Sequence, residues 1–435
     1  MKRKKALILT YYWPPSGGPG VQRWLKFSKY LRDFGWEPVV YTAENPEAPA
    51  VDRSLEKDIP ENLTVIRRKI REPYSLYKLL TRQEKGMKVS TALLNETRKP
   101  GKTELFARWV RGNFFIPDAR KFWIRPSVRY LAKWIAENPV DVVISTGPPH
   151  SMHMIGRGLQ KRTGLPWIAD FRDPWTTAYY YHAFLVSRRA EKKHRQMEAE
   201  VVTGADRVIA VSTTWKQEFE HRYARPVDLL TNGFDEEDFA VSTPAPDPYF
   251  SLSQIGTMMP DRNLPALWQA LSGLINSDAD FAMDFRLMLI GTVDASVKEA
   301  LEAYGLTDHV IHTGYLPHNE VITRLKSSHV LLDVLKQTPN TKGILSGKIF
   351  EYLAAKRPVL LIGSTGSDAA ELIRETGAGY SVNFDDAEGI QKIISRLYAS
   401  YKNNTLKCES RSVNEYSRKN ITQKLSRMLD EVLNP

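Results

Sequence analysis

The sequence predicts an α/β protein with two doubly wound halves. Three observations carry that reading. Short apolar runs alternate with longer amphipathic stretches along the whole chain, the pattern of parallel strands joined by helices. A glycine-rich turn follows the first apolar run, as in Ser16-Gly17-Gly18-Pro19-Gly20 after KALILT, where doubly wound sheets bind ligands. A Pro-rich stretch, residues 241–249 (VSTPAPDPY), divides the alternation in two and reads as a linker.

In chain order, residues 5–10 read as a buried strand and residues 21–34 as a helix closed by Gly35, with EPVVYTA as the next strand. Residues 81–104 are polar, basic and aperiodic, and read as a loop or partly helical insertion. Beyond them Trp, Phe, Arg and Lys interleave, and residues 126–137 form an amphipathic helix. Then come VDVVIST, a GPPHS turn, the helix MHMIGRGLQKRTG closed by Gly164, and the strand PWIAD. A charged helix over residues 186–204, the strand DRVIAVS, the helix TTWKQEFEHRYA and the turn in VDLLTNGFDEEDF complete the half. The second half alternates again from SLSQIG to VLLI, and an amphipathic helix over residues 410–433 ends the chain. Two Rossmann-like domains facing a cleft are expected, over residues 1–240 and 241–411, with residues 412–435 returning to the first.

A chain of 435 residues exceeds one compact core, and 42% hydrophobic residues is ordinary for a folded protein. The single cysteine, Cys408, forms no internal disulfide. The apolar run after the basic start is too short for a signal peptide, and no stretch reaches the roughly 18 apolar residues of a membrane span. A cytoplasmic location is expected. The net charge of +11 favours anionic partners: nucleotides, phospholipid headgroups or nucleic acid.

Candidate site residues cluster at strand ends. Gly17, Gly18 and Gly20 suit close backbone approach to a phosphate or sugar, or simply a turn of unusual backbone angles. Asp170, Arg172 and Asp173 follow PWIAD, where a carboxylate can orient an acceptor hydroxyl or take its proton. The alternative is a self-contained ion pair. His150, at the end of the preceding strand, is a secondary candidate. Asn232-Gly233 is a tight turn or a ligand contact. Arg262 starts a helix after the first strand of the second half and suits a diphosphate.

The richest stretch is residues 342–373. A turn of Gly343, Ile344, Leu345 and Ser346 opens a helix carrying Lys348 and Glu351, three residues apart on one face. Lys348 suits a phosphate, Glu351 two vicinal hydroxyls, and Glu371 on the next helix joins them. A surface ion pair is the alternative. Asp278-Ala279-Asp280 resembles a metal-binding D-x-D pattern but precedes a strand, opposite the ligand end. No other cluster has metal spacing, so no metal and no cofactor are expected.

The segments PPSGGPG, STGPPHS, PWIADFRDPW, VIAVS, TNGFDEEDF, IGTMMPDRN, HVIHTGYLPHNEV and SGKIFEYLAAKRPVL run in order along nearly the whole chain. In that order they resemble the GT-B glycosyltransferases, specifically the retaining, family 4-like enzymes of bacterial surface-polysaccharide synthesis. The resemblance implies that the second domain holds a nucleotide-sugar donor and the first an acceptor, with the last helix crossing back onto the first domain. It implies that Glu351 binds the donor ribose, as the second member of the family's glutamate pair; the first falls on Gly343. Arg262 matches the second member of the diphosphate-binding basic pair, whose first falls near Thr257, with Lys348 as a further cation. The acceptor-side histidine region corresponds to residues 170–173.

The implied activity is transfer of a hexose-type unit to a glycan or lipid-linked acceptor, without metal or nucleic acid. Residues 105–134 could face an anionic membrane or pack as an ordinary helix. A GT-B nucleotide-sugar epimerase, or a basic non-catalytic protein binding membrane or nucleic acid, are the competing readings.

Overall fold

The computed structural model describes residues 3–47, 50–70, 101–240, 242, 244–337 and 340–434. Residues 81–100 of the expected insertion, and positions 241 and 243 of the expected linker, lie outside them. The chain divides into two compact units, residues 1–231 with 418–435, and residues 232–417.

The first unit is built on seven strands: β1 (Lys4–Leu9), β3 (Trp36–Ala43), β5 (Thr64–Arg68), β6 (Val142–Gly147), β7 (Trp167–Phe171), β8 (Arg207–Ala210) and β9 (Asp228–Leu229). Their order is β5-β3-β1-β6-β7-β8-β9, with every pairing parallel. A two-stranded ribbon, β2 (Ser16–Gly17) with β4 (Ala50–Val51), sits at the glycine loop. Chain order reverses between β1 and β6, the switch point at which ligands enter such sheets.

The helices follow from the apolar stripes. Helix α1 (Pro19–Tyr30) takes Pro19 at its first turn, continues as a tighter turn to Phe34, and stops at Gly35 with φ 81°. Helix α2 (Lys102–Phe114) and helix α3 (Lys121–Glu137) follow. Helix α3 begins five residues before the expected start, so Pro126 lies inside it rather than opening it. Buried Trp123, Ser127, Leu131 and Ile135 form its inward stripe, and that packing outweighs the hydrogen bond Pro126 cannot donate. Helix α4 (Ser151–Thr163) ends at Gly164 as expected, and helix α5 (Arg188–Gly204) is capped by the Ser187 side chain. Helix α6 (Thr213–Tyr223) precedes β9.

The second unit opens with the single turn α7 (Glu236–Phe239). Phe234 and Phe239 pack into an apolar cluster with Ile349, Phe350 and Leu353, which draws residues 232–240 into this unit rather than the first. Six strands follow: β10 (Phe250–Ile255), β11 (Phe285–Ile290), β12 (Val310–Gly314), β13 (Val330–Val334), β14 (Val359–Ile362) and β15 (Gly379–Val382). The order is β12-β11-β10-β13-β14-β15, again parallel throughout. The helices are α8 (Pro265–Ser277), α9 (Ala279–Asp284), α10 (Ala295–Ala303), α11 (His318–Ser327), α12 (Gly347–Ala355), α13 (Asp368–Thr376) and α14 (Ala387–Lys402). Strand β14 shows why the run VLLI is wholly apolar: Leu360 and Ile362 enter the cluster on one face, Val359 and Leu361 that on the other.

The last helix, α15 (Arg418–Leu433), starts eight residues later than its amphipathic pattern, after a short turn at Val413–Tyr416. Its apolar stripe, Ile421, Leu425 and Leu429, is buried with Val21, Trp24 and Leu25 of α1 in the first unit's core. The chain end thus completes the domain that its start began. Leu425→Ala should cost about 2–5 kcal/mol of first-unit stability, read as a lowered urea midpoint for that unit with the second unit's transition unmoved. An unchanged midpoint would contradict this docking.

Candidate functional site

In the second unit the site forms at the carboxyl ends of β10 and β13. Lys348 lies in the first turn of α12. Its ammonium donates to the Ile255 carbonyl at the end of β10 (2.8 Å) and stands 3.8 Å from Asp333 Oδ1. Gly256 follows Ile255 at a φ of +96°, which favours glycine. Arg262 donates from Nε to the Val334 carbonyl (3.0 Å) and from Nη1 to the Thr257 carbonyl (2.9 Å). Both cations are held by backbone carbonyls, with Asp333 also within ion-pair distance of Lys348. Burial pushes the Lys348 ammonium below the usual lysine range; Asp333 opposes the shift and nearby Arg262 adds to it.

Three further features converge there. The Ser346 side chain does not cap α12, so the helix N-terminus keeps uncapped N–H groups. Ser346 Oγ and Asp333 Oδ2 are buried without a hydrogen-bond partner. Glu351, one turn along, accepts from His318 Nε2 (3.1 Å) and is otherwise open to a ligand hydroxyl. The arrangement can bind an anion with hydroxyls beside it.

Other expected members are placed differently. Glu371 is engaged by Arg374 of its own helix, through Nε at 2.9 Å and through Nη2, in an exposed pair. Leu345 turns its side chain into the apolar cluster around Ile349. Gly343 is buried in the turn closed by the Ile344 N–H to the Thr341 carbonyl (3.0 Å). Asp278 caps α9 through the Phe281 N–H (3.0 Å), so the D-x-D-like pair opens a short helix rather than a loop. Among the described residues no group of His, Cys, Asp and Glu is arranged to hold a metal.

In the first unit Asp170 ends β7, wholly buried. Arg23 Nη2 donates to Oδ1 (2.8 Å) and Nε lies 3.2 Å from both oxygens. Trp24 Nε1 and Thr146 Oγ1 donate to Oδ2, each at 2.8 Å. Burial alone would raise the carboxyl, but the Arg23 charge and these bonds hold it below the usual aspartate range. Asp170 is thus held in its ionised form as the anchor of a buried ion pair. Arg172 braces loops, donating to the Gly20 carbonyl (2.9 Å) and the Pro148 carbonyl (3.0 Å). A Cβ on Gly20 would stand 2.8 Å from Arg172 Nη1. Gly17 pairs in the ribbon and Gly18, at φ 101°, precedes α1, so the glycine loop has a structural task at each position.

Asp173 differs from Asp170. It makes no hydrogen bond among the described residues, and burial raises its carboxyl while Arg172 restrains the shift. Tyr180, whose hydroxyl is buried without a partner, is pushed up by burial and by the Asp173 charge. His150 stacks on Trp175 with ring centroids 4.5 Å apart, and its Nδ1 is unpartnered. Burial, then His153, His194 and Arg172, hold it neutral. His153 is lowered to about 3 by burial, despite Asp170. Gly147 fits because a Cβ there would meet His153 Nε2 at 2.5 Å. Asp173, Tyr180, Arg172 and His150 thus lie at one end of the sheet, where neighbouring charges act on one another.

Sequence reasoning missed Arg23, Tyr180, His318 and Asp333. Arg23 had a signal, a charge inside the apolar stripe of Val21, Trp24 and Leu25, which implies a buried partner. The others meet their neighbours only in three dimensions.

Two family models match the chain. Residues 20–238 match "Glycosyltransferase Family 4" and residues 250–400 match "Glycosyl transferases group 1". No curated protein matches it in sequence. Among solved structures it is similar to Anabaena Alr3699/HepE in complex with UDP, at 14% identity over 98% of this chain and 100% of that one, TM-score 0.62. It is also similar to sucrose-phosphate synthase (tll1590) from Thermosynechococcus elongatus, at 12% identity over 99% and 100%, TM-score 0.60. A third likeness is to "trehalose-6-phosphate from E. coli bound with UDP-2-fluoro glucose", at 11% identity over 99% and 97%, TM-score 0.57. At these identities the likeness shows the shared GT-B fold.

Asp170→Asn should cost about 3–5 kcal/mol by leaving the buried Arg23 charge without its carboxylate. The sign with pH follows from the depressed carboxyl. The pair's stability is fully present above the unfolded value, near 4, and is lost as pH falls through the lower folded value. Urea midpoints should therefore show a wild-type advantage at pH 7 that shrinks below pH 4. A gap independent of pH would contradict the ionised pair.

Proposed function

The chain belongs to glycosyltransferase family 4, and on that premise we propose that it is a metal-independent hexosyltransferase. Its donor is a nucleotide diphosphate sugar, and it transfers the hexose with retained anomeric configuration. The carrying observation is the pair Arg262 and Lys348, fixed by strand-end carbonyls beside the uncapped start of α12. The solved neighbours that hold UDP or a UDP-sugar support this reading. Arg262, Lys348 and the helix N–H groups receive the diphosphate, and Glu351 accepts from ribose hydroxyls. In the reaction the bond from the anomeric carbon to the diphosphate oxygen breaks, and a bond to the acceptor oxygen forms. The cations stabilise the charge growing on the departing diphosphate, the part a metal plays elsewhere.

Asp173 of the first unit orients the acceptor hydroxyl and takes its proton, with Arg172 restraining the rise that burial gives its carboxyl. The acceptor is a glycan or lipid-linked saccharide of surface-polysaccharide synthesis, reached by a protein resting on the inner face of the membrane. Among the described residues no helix is long and apolar enough to cross a membrane. The exposed aromatics of α2 and the cationic Lys121 favour the peripheral contact.

A thermal-shift screen over UDP-, GDP-, ADP- and dTDP-linked sugars, with EDTA present, should find one stabilising class. Lys348→Ala should weaken that donor roughly tenfold to a hundredfold, the loss of one charge-assisted contact. No shift with any donor would count against the transferase. Conversion of donor sugar without acceptor would instead identify an epimerase.

A further inference from the structure

Beneath the end of α2 the first unit holds a cavity of about 230 Å³. Its walls are largely aromatic, including Tyr12, Phe115, Trp175, Tyr180 and Phe184. His150 and His194 also line it, and burial keeps both imidazoles below their usual range. Trp175 Nε1 donates to His194 Nδ1 (3.0 Å), which fixes that ring. Gly112 lets α2 lie against the loop at Phe184, since a Cβ there would meet the Phe184 carbonyl oxygen at 2.3 Å.

The cavity is also cationic. Arg111 and Arg120 both line it. Arg111 lies 4.6 Å over the Phe184 ring, and its Nη1 is buried without a hydrogen-bond partner. Among the described residues no carboxylate pairs with it. The lining carboxylate, Asp118, is already bound to the Ser151 N–H and hydroxyl and to the Arg120 N–H. A buried guanidinium donor without a partner is costly to keep, and an anion relieves that cost. The same helix carries an apolar outer face. Phe106, Trp109 and Phe114 are 59%, 39% and 58% exposed, and Leu185, next to Phe184, is 46% exposed. Phe106 stacks on Trp109 and Trp109 meets Phe114 edge-on, so the patch is continuous.

We propose that this cavity is the anchor site for a phosphorylated amphiphile, with a phosphate or diphosphate held at Arg111 and its apolar chain lying along Phe106, Trp109 and Leu185. An anion alone has no need of the aromatic walls, and an apolar chain alone leaves Arg111 without a partner. The proposal rests on the transferase reading for its meaning, because it makes the acceptor a lipid-linked phosphate rather than a free glycan.

Calorimetric titration of the full chain with farnesyl diphosphate, farnesol and inorganic pyrophosphate tests it. Farnesyl diphosphate should bind at least tenfold tighter than either fragment. Arg111→Ala should weaken it at least tenfold, and Trp109→Ser, an exposed change, at least threefold. Pyrophosphate binding equally well would reduce the cavity to a plain anion site, and farnesol binding equally well to an apolar slot. Either result, absence of farnesyl diphosphate binding, or indifference to both variants overturns the proposal. The nucleotide-sugar thermal shift is read on the same samples. A lost donor shift with farnesyl diphosphate still bound removes the transferase and leaves the cavity assignment; the reverse removes only the cavity.

Discussion

The buried pair of Arg23 and Asp170 is the constraint on which the first unit's arrangement depends. Arg23 comes from α1, Asp170 from the end of β7, and Thr146 from β6. Arg23 also donates to the Leu230 and Thr231 carbonyls, at 2.9 and 2.8 Å. One ion pair therefore ties together the first helix, two central strands and the chain leaving β9. The fully buried charges are tolerable because the carboxylate's hydrogen bonds and the guanidinium's carbonyl partners replace water around them. Three residues on, Asp173 lacks such partners. The same loop thus carries one carboxylate with a full set of partners and one without, separated only by their surroundings.

The second unit holds its two cations chiefly through backbone carbonyls, which carry no net charge, with Asp333 3.8 Å from Lys348. Lys348 and Arg262 are fixed in direction by the Ile255, Val334 and Thr257 carbonyls while their charge stays available. Glycine at position 256 allows the positive φ with which the chain leaves β10. Such fixed charges need little reorganisation when an anion arrives, the condition under which electrostatic stabilisation of a leaving group is strongest.

Much of the fold was legible because its period was unambiguous. The run VLLI reads as a strand buried on both faces, and the clusters on its two sides show why. Helix ends at Gly35 and Gly164 were equally readable, since both glycines take left-handed angles. Boundaries set by packing were less so, as with Pro126 inside α3 and residues 232–240 in the second unit. The site was half legible. Lys348, Arg262 and Glu351 stand at strand and helix ends that sequence can locate. Asp170 and Asp173 look alike in sequence, and only Arg23, 147 positions away, tells them apart. Glu371 shows the converse, since its partner Arg374 lies three residues along the same helix.

The central claim is that Lys348 and its surroundings bind a diphosphate. Its most direct test compares, by calorimetry, the nucleoside diphosphate and monophosphate of whichever base stabilises the protein, in wild type and in Lys348→Met. The account predicts a clear preference for the diphosphate in wild type that collapses in the variant, with monophosphate affinity little changed. An undiminished diphosphate preference in Lys348→Met would contradict it.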